Sequence, residues 1–583
     1  MGDSSDDGND LEPQATQAEY GFVLDSQNEC NTKLRHPSPE RIRQLWQIFT
    51  ENIDPLTKVV HVPTLGQAIE STVNSPGSIS RDFEALMFAI YAAAIYSLTE
   101  DDCNQRLGEP RKVLLSRYIS SAKTALSKAK FMGTTSLVVL QALFIYIIAV
   151  RDIYEPRAIW SLSGVAVRIA QSMGLDRDGE HLGLSPFETE MRRRLWWQLK
   201  LHDFRTAELC GIAKFQDLQL HTGPESTKWP TNVDDNQLHP DMSSPATAHS
   251  NKLTDAMFIC LKCELLNYTA ERLTNLRLQG KTSNPWDPQT PGTNDKISES
   301  TKDIEQLLES KYIRYCDPSH PLHLIVMLMA RCSINVIRFI THHPRRWENT
   351  EKTPPLSERR FICEICLKLL EQYNMLQSTP LLKPFAWHAP YFQQWHAIIH
   401  VLDSLCADPL NPEADKAWRL VGFTYDNNPD MIYDLRRPLH MAVGNLCLKA
   451  YGKREAVMEK GSGLPVPGFI AQLRRQREDI RSKRARAEVQ PEGVTGQELH
   501  PSRPRADRHK TTDDEQVPAE STNYLLGHST ALSDQDYSRS TINGSDVIQV
   551  VGDGRTQEEV EEDNNMVSWD QWDAWLAESN VYI

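Results

Sequence analysis

Two cysteine pairs have the spacing of metal ligands. Cys260/Cys263 and Cys363/Cys366 each follow CxxC, a separation that can present two thiolates to one zinc ion. Both pairs sit in apolar runs, Phe258 to Leu266 and Phe361 to Leu370, so they read better as small hydrophobes on the inner side of a helix. His396 and His400 are separated by four, which also suits a metal. Ala397, however, occupies the place where the HExxH pattern needs its general base. Ser120 and Lys123 form a bare SxxK without its companion motifs. Gly461, Gly463 and Gly468 flank prolines and read as a linker rather than a phosphate cradle. These residues predict no catalytic centre, no bound metal and no cofactor. An α-helical metal-dependent enzyme is the most distant alternative.

Two other clusters carry a different chemistry. Arg474, Arg475, Arg477, Arg481, Lys483, Arg484 and Arg486 stand against only Glu478 and Asp479 in a chain of net charge −15. Such a cluster serves nuclear import or phosphate contact, or is the solvated end of a helix; Arg481, Lys483, Arg484 and Arg486 are the import candidates. At the other extreme, Glu558, Glu559, Glu561, Glu562 and Asp563 precede Trp569, Trp572, Trp575 and Leu576. Trp569, Trp572 and Leu576 share one face of a helix, kept soluble by acid until a partner offers a groove, or docked on the protein's own core.

The elements that would position these groups are helical. The 583 residues have a mean hydropathy of −0.48, which predicts a large folded centre with disordered ends. The acidic balance argues against the whole chain wrapping nucleic acid. Leu45, Trp46, Phe49 and Ile53 form a one-sided stripe that Pro55 is expected to end. Phe83 to Ser97 is apolar almost all round and should be central. Leu114 to Lys130 is amphipathic. Leu137 to Val150, with Ser136 as its expected N-cap, is too short for a membrane span and reads as a buried helix. Further helices are expected at 255–278, 297–315, 321–342, 356–377, 389–406 and 432–460. No long alternating segment appears before residue 250 and two-residue glycine turns flanked by strands are missing, which argues against a β-sheet core; the expected fold class is all-α. The eleven scattered cysteines fit reduced thiols of a cytosolic or nuclear protein. The expected divisions are 1–34, an acidic disordered start; 35–250 and 251–460, two halves of a helical region; 461–554, a basic and then low-complexity linker; and 555–583, the acidic and aromatic tail.

One motif stands out in the first half. It comprises Trp160, Gly164 and Arg168, then Gly174 to Asp178, then Glu190, Arg192, Arg193, Arg194, Trp196, Trp197 and Asp203. Its helical spacing predicts a helix packed closely at Gly164. A second helix should turn Leu195 and Trp196 or Trp197 inward and Arg192 to Arg194 partly outward. The arginines are expected to pair with Asp176, Asp178, Glu188 or Asp203 rather than with DNA phosphates.

This motif resembles the middle homology region of fungal-specific transcription factors. Other segments match in the family's order: His36 to Thr64, Leu140 to Leu143, the loop Pro230-Thr231-Asn232-Val233-Asp234-Asp235, Phe385 to His388, Ala414 to Trp418, and Lys449 to Glu455. The resemblance spans about residues 36–456. It implies an all-α regulator of RNA polymerase II genes in the nucleus, an activator whose partners are the transcription machinery or co-activators, with a partner factor or a homodimer and no membrane. Family members usually open with six cysteines that hold two zinc ions and place a helix in the major groove. Here only Cys30 precedes residue 100, so zinc and DNA binding stay with the family, and DNA contact is expected only indirectly. The alternative is an interaction protein or co-regulator that acts through a partner factor.

Overall fold

The computed structural model describes residues 34–74, 79–210, 225–249, 252–278, 294–342, 354–392, 395–434, 438–458 and 466–488. The chain divides into two units, residues 1–479 with 569–583, and residues 480–568. In the second unit the described residues, 480–488, are helical.

Helices α1 (Pro39–Asn52), α2 (Val62–Asn74), α3 (Arg81–Tyr96), α4 (Arg111–Lys128) and α5 (Leu137–Val150) open the first unit. Every residue of α3 from Ala85 to Tyr96 is buried, as its all-round apolar sequence requires. It is surrounded by α1, α4 and α5. Ser80 caps it through a bond from the Phe83 amide. In α5 every residue from Val139 to Val150 is buried, and its one amide, Gln141, donates to the Val59 carbonyl at 2.6 Å. Ser136 does stand at the N-cap, but its hydroxyl makes no capping bond. Pro55 begins structure rather than ending it. Helix α1 stops at Asn52, and Pro55 falls in the first turn of a new short helix, Asp54–Thr57, where a missing N–H is harmless.

Helices α6 (Pro156–Ser172) and α7 (Pro186–Leu209) carry the Trp/Arg motif and pack on one another. Beyond a long loop follow α8 (Met257–Leu278), α9 (Asn294–Lys311), α10 (Pro321–Thr341), α11 (Leu356–Ser378), α12 (Trp395–Ala407), α13 (Ala414–Asn427), α14 (Pro438–Val457) and α15 (Gly468–Glu488). Helix α13 was not among the expected helices, and residues 380–392 form a run of tighter 3₁₀ turns before α12. Among the described residues there is no strand, only an isolated bridge between Arg177 and Ser226. One hydrophobic cluster runs from Ile42 to Ala389 and joins α1 to the 3₁₀ segment. Helix α10 is long and apolar enough to cross a bilayer, but half of it is buried, with Ile325, Val326 and Ala330 in that cluster.

Candidate functional site

The end of α6 sets the motif's geometry. Gly174 takes a φ of +74°, its N–H bonds to Gln171 O, and the Leu175 N–H bonds to Ala170 O at 3.0 Å. That left-handed turn closes the helix and reverses the chain. The following loop lies against the start of α7 at Gly179, where a Cβ would sit 2.4 Å from Thr189 Oγ1 and 2.9 Å from its Cα. Only glycine allows that approach. The loop also meets residues 225–228: Asp178 N–H donates to Glu225 O and Thr227 N–H to Asp176 O.

Arg192, Arg193 and Arg194 are each spent on carboxylate. Arg192 reaches Glu188 at 3.2 Å and the Met173 carbonyl at 3.1 Å. Arg193 grips Asp178 with two nitrogens, at 2.7 and 2.8 Å, and Glu180 at 2.7 Å. Burial opposes the charge on Asp178, but Arg193 and the Lys228 N–H hold its carboxyl below the usual range. Arg194 reaches Glu190 at 3.1 Å and Asp235 at 2.7 Å. The expectation that these arginines point partly outward is corrected. Arg193 is buried and Arg194 is wholly inaccessible, because its guanidinium completes an interior network rather than a surface face. Both Trp196 and Trp197 turn inward; the Trp197 indole donates to Lys228 O and stacks on Trp229 at 3.9 Å. Asp203 is part-buried, and burial raises its carboxyl pKa against the pull of Lys200.

The network around Arg194 extends to the N-terminal helices. Asp235 accepts from Arg194 with one oxygen and from Lys58 Nζ, at 2.8 Å, with the other. Lys58 also bonds Asp54 at 2.8 Å and adopts a φ of 50°, a left-handed conformation that these two carboxylates help to hold. Glu190 accepts twice from the Thr231 N–H, at 3.1 and 3.2 Å. Three buried carboxylates therefore face two buried cations. Two buried polar atoms here, Arg194 Nη2 and Asp54 Oδ1, have no protein partner among the described residues. Asp235, with a cation on each oxygen, is held down at about 2 although burial pushes the other way. Asp54 shares only Lys58, and burial pushes it up to about 6. A proton on Asp54, taken up as pH falls below about 6, balances the cluster.

The loop 230–235 is the clasp. Asn232 donates to the carbonyls of His249 and Lys252 and accepts from Thr254 Oγ1 at 2.6 Å. Asp234 caps a 3₁₀ turn and accepts from the Asp255 N–H and Lys252 Nζ. Beside it a cavity of about 50 Å³, lined by Thr189, Glu190, Arg193 and Thr231, has room for water but not for an effector of some hundreds of Å³.

A second basic group, the half-buried Lys262, adjoins the first through Gln198. Its amide donates to Leu56 O and Thr57 O, and its oxygen accepts from Lys262 Nζ at 3.1 Å. Burial lowers Lys262 to about 8. Burial, with Arg151 and Lys262 nearby, lowers His202 to about 3 and His388 well below its ordinary value. Neither Lys58 nor Lys262 was singled out from sequence. The available signal was a lone lysine inside an apolar run.

The other sequence candidates fall elsewhere. Cys260 and Cys263 lie in α8, and Cys363 and Cys366 in α11; burial raises all four thiols, Cys260 to about 12. His396 and His400 are buried in α12 near the Phe339 ring. Among the described residues no three metal-ligating side chains converge. Arg481 is exposed on α15, the helix that also contains Lys483, Arg484 and Arg486. Trp569, Trp572, Trp575 and Leu576 lie outside the described residues. Gly164 is not a site of close packing: a Cβ there would meet nothing within 4 Å, because it lies on the side of α6 away from the buried Ile159, Leu162 and Ala166.

Comparison with known proteins reaches the same residues. Positions 46–243 match the fungal specific transcription factor domain, a span that contains Asp54, Lys58, Glu190, Arg194 and Asp235. The chain is 33% identical over 456 residues to the aurofusarin cluster transcription factor of Gibberella zeae, covering 77% of this chain and 65% of that protein. It is 29% identical over 464 residues to a transcriptional regulator of Aspergillus aculeatus, covering 77% and 61%. It is 29% identical over 481 residues to a pyriculol/pyriculariol biosynthesis cluster transcription factor of Pyricularia oryzae, covering 80% and 62%. The chain thus spans less than two thirds of the length of these relatives. Its motif, its all-helical architecture and its matched domain agree: residues 46–243 of the chain are a fungal specific transcription factor domain.

Proposed function

We propose that this protein regulates transcription in the nucleus, with its helical region as the regulatory part and its acidic, tryptophan-bearing tail as the activating part. The observation that carries this reading is the domain match over residues 46–243. Two of the relatives are named for biosynthetic clusters, which supports a set of clustered biosynthetic genes as the target. The role is non-enzymatic. Arg192, Arg193 and Arg194 are engaged by carboxylates and are not offered to phosphate. DNA is therefore reached indirectly, through a zinc cluster or a partner factor rather than through these helices. The transcription machinery or co-activators receive the tail.

The test tethers residues 555–583 to a foreign DNA-binding module. The wild-type tail should activate a reporter, and Trp569→Ala with Trp572→Ala should silence it, since burying one indole contributes only about 1.5–3 kcal/mol to a weak contact. An inert tethered tail, with a full-length protein destabilised by the same double change, would make the tail a structural element and overturn its activating role.

A further inference from the structure

Helix α15 changes role along its length. Its first half is docked: Phe469, Ile470 and Leu473 are buried, and the Phe469 ring stacks on Tyr425 at 5.2 Å. Arg474 pairs with Glu455 at 2.6 Å and lies over the Tyr451 ring. Arg477 donates to Asn445 Oδ1 at 2.9 Å and to the Met441 carbonyl at 3.1 Å. The fold thus uses Arg474 and Arg477 of the basic cluster. Past Arg477 that use stops. Glu478, Asp479, Arg481 and Ser482 are exposed, and the division between the two units falls after Asp479. Among the described residues Arg481 makes no ion pair and the Ser482 hydroxyl makes no hydrogen bond. By contrast, Ser121, Ser161, Ser333 and Ser404 each donate to the carbonyl four residues earlier in their helices, at 2.8–2.9 Å.

Ser482 is set among cations. Arg481 precedes it, and Lys483, Arg484 and Arg486 follow in the same helix. Such flanks complement the acidic cleft of a serine kinase that reads basic residues. To reach a kinase's catalytic aspartate, the hydroxyl must also lie in a segment that can extend. Helix ends open most easily, and unwinding α15 past Asp479 exposes no side chain that is buried among the described residues. We propose that Ser482 is a phosphorylation site, and that its phosphate closes the import segment around it. The group transferred is the γ-phosphoryl of MgATP. Ser482 Oγ attacks the γ-phosphorus, its proton passes to the kinase's aspartate, and the bond to ADP breaks. The phosphate sets about −1.5 to −2 charges against the positive charges of Arg481, Lys483, Arg484 and Arg486. It thereby cancels much of the charge offered to an acidic import receptor. This inference rests on the nuclear role proposed above, with these four residues as its import segment.

The purified full chain, incubated with MgATP and a protein kinase C catalytic fragment, should carry phosphate on Ser482 by peptide mapping. Fluorescently labelled, that chain should enter the nuclei of permeabilised cells about threefold more slowly, or slower still, than the unmodified chain. Ser482→Ala, treated identically, should enter at the unmodified rate, which separates this phosphate from any other the kinase adds. A chain without phosphate on Ser482 overturns the proposal. So does a Ser482-phosphorylated chain that enters at the unmodified rate, or a slowing that persists in Ser482→Ala. The chain with Lys483, Arg484 and Arg486 all changed to Ala tells the two readings apart. If it enters slowly while phosphate on Ser482 has no effect, the import segment stands and this inference fails. If it enters as fast as the unmodified chain, the import reading falls and takes this inference with it.

Discussion

Arg194 and Asp235 meet in the interior at 2.7 Å although 41 residues separate them in sequence. Their pairing joins the Arg-rich helix to the acidic loop, and through Lys58 it ties both to the start of the helical region. The Arg-rich helix and the loop 230–235, both within the matched domain, are thus two ends of one ionic clasp.

Removing the arginine should be severe. Arg194→Met leaves Glu190 and Asp235 buried with fewer cations, and the expected loss is about 3–5 kcal/mol by urea unfolding. Arg194→Lys should restore little, because one ammonium cannot span both carboxylates as the planar fork does. A loss below 1 kcal/mol for Arg194→Met would mean that the network is not formed.

Acidity should act on Asp54 in an unusual direction. Its folded pKa is raised to about 6 from 3.8, so its contribution to stability is fully present below 3.8 and is lost as pH rises through about 6. Asp54→Asn holds the group uncharged at every pH. Its stability relative to the natural chain should therefore rise between about pH 4 and pH 6 and level off above. Denaturant midpoints at closely spaced pH values check this, and a constant difference would place the balancing proton elsewhere.

Two glycine substitutions should differ in sign. Gly179→Ala forces a methyl against the Thr189 backbone, and overpacking of that kind costs about 1–3 kcal/mol. Gly452→Ala, in α14 with nothing within 4 Å of a Cβ, should stabilise by about 0.5–1 kcal/mol. Thermal unfolding of both variants reads the contrast directly.

Nuclear entry is expected to depend on the end of α15. Changing Lys483, Arg484 and Arg486 together to Ala should lower the nuclear fraction of a fluorescently tagged chain. Unchanged localisation would return this stretch to a solvated helix face.

Much of the fold is determined by local pattern. Continuous apolarity alone makes α3 and α5 central, because a helix without a polar face has nowhere else to go. The Trp/Arg motif announces its family from residue types and spacing. The cysteine pairs read as helix-borne hydrophobes for the same local reason. Tertiary structure decided what periodicity cannot express. Arg194 looks like a surface residue because arginine is usually solvated; its burial requires Asp235 to arrive from a distant loop beside Glu190 of its own helix. Lys58 is one lysine among many until Asp54 and Asp235 converge on it. Gly164 suggests close packing in sequence, yet only the neighbours of α6 determine which side of the helix it faces. Helical spacing fixes which residues share a face, but whether that face meets carboxylate, core or water depends on segments distant in the chain.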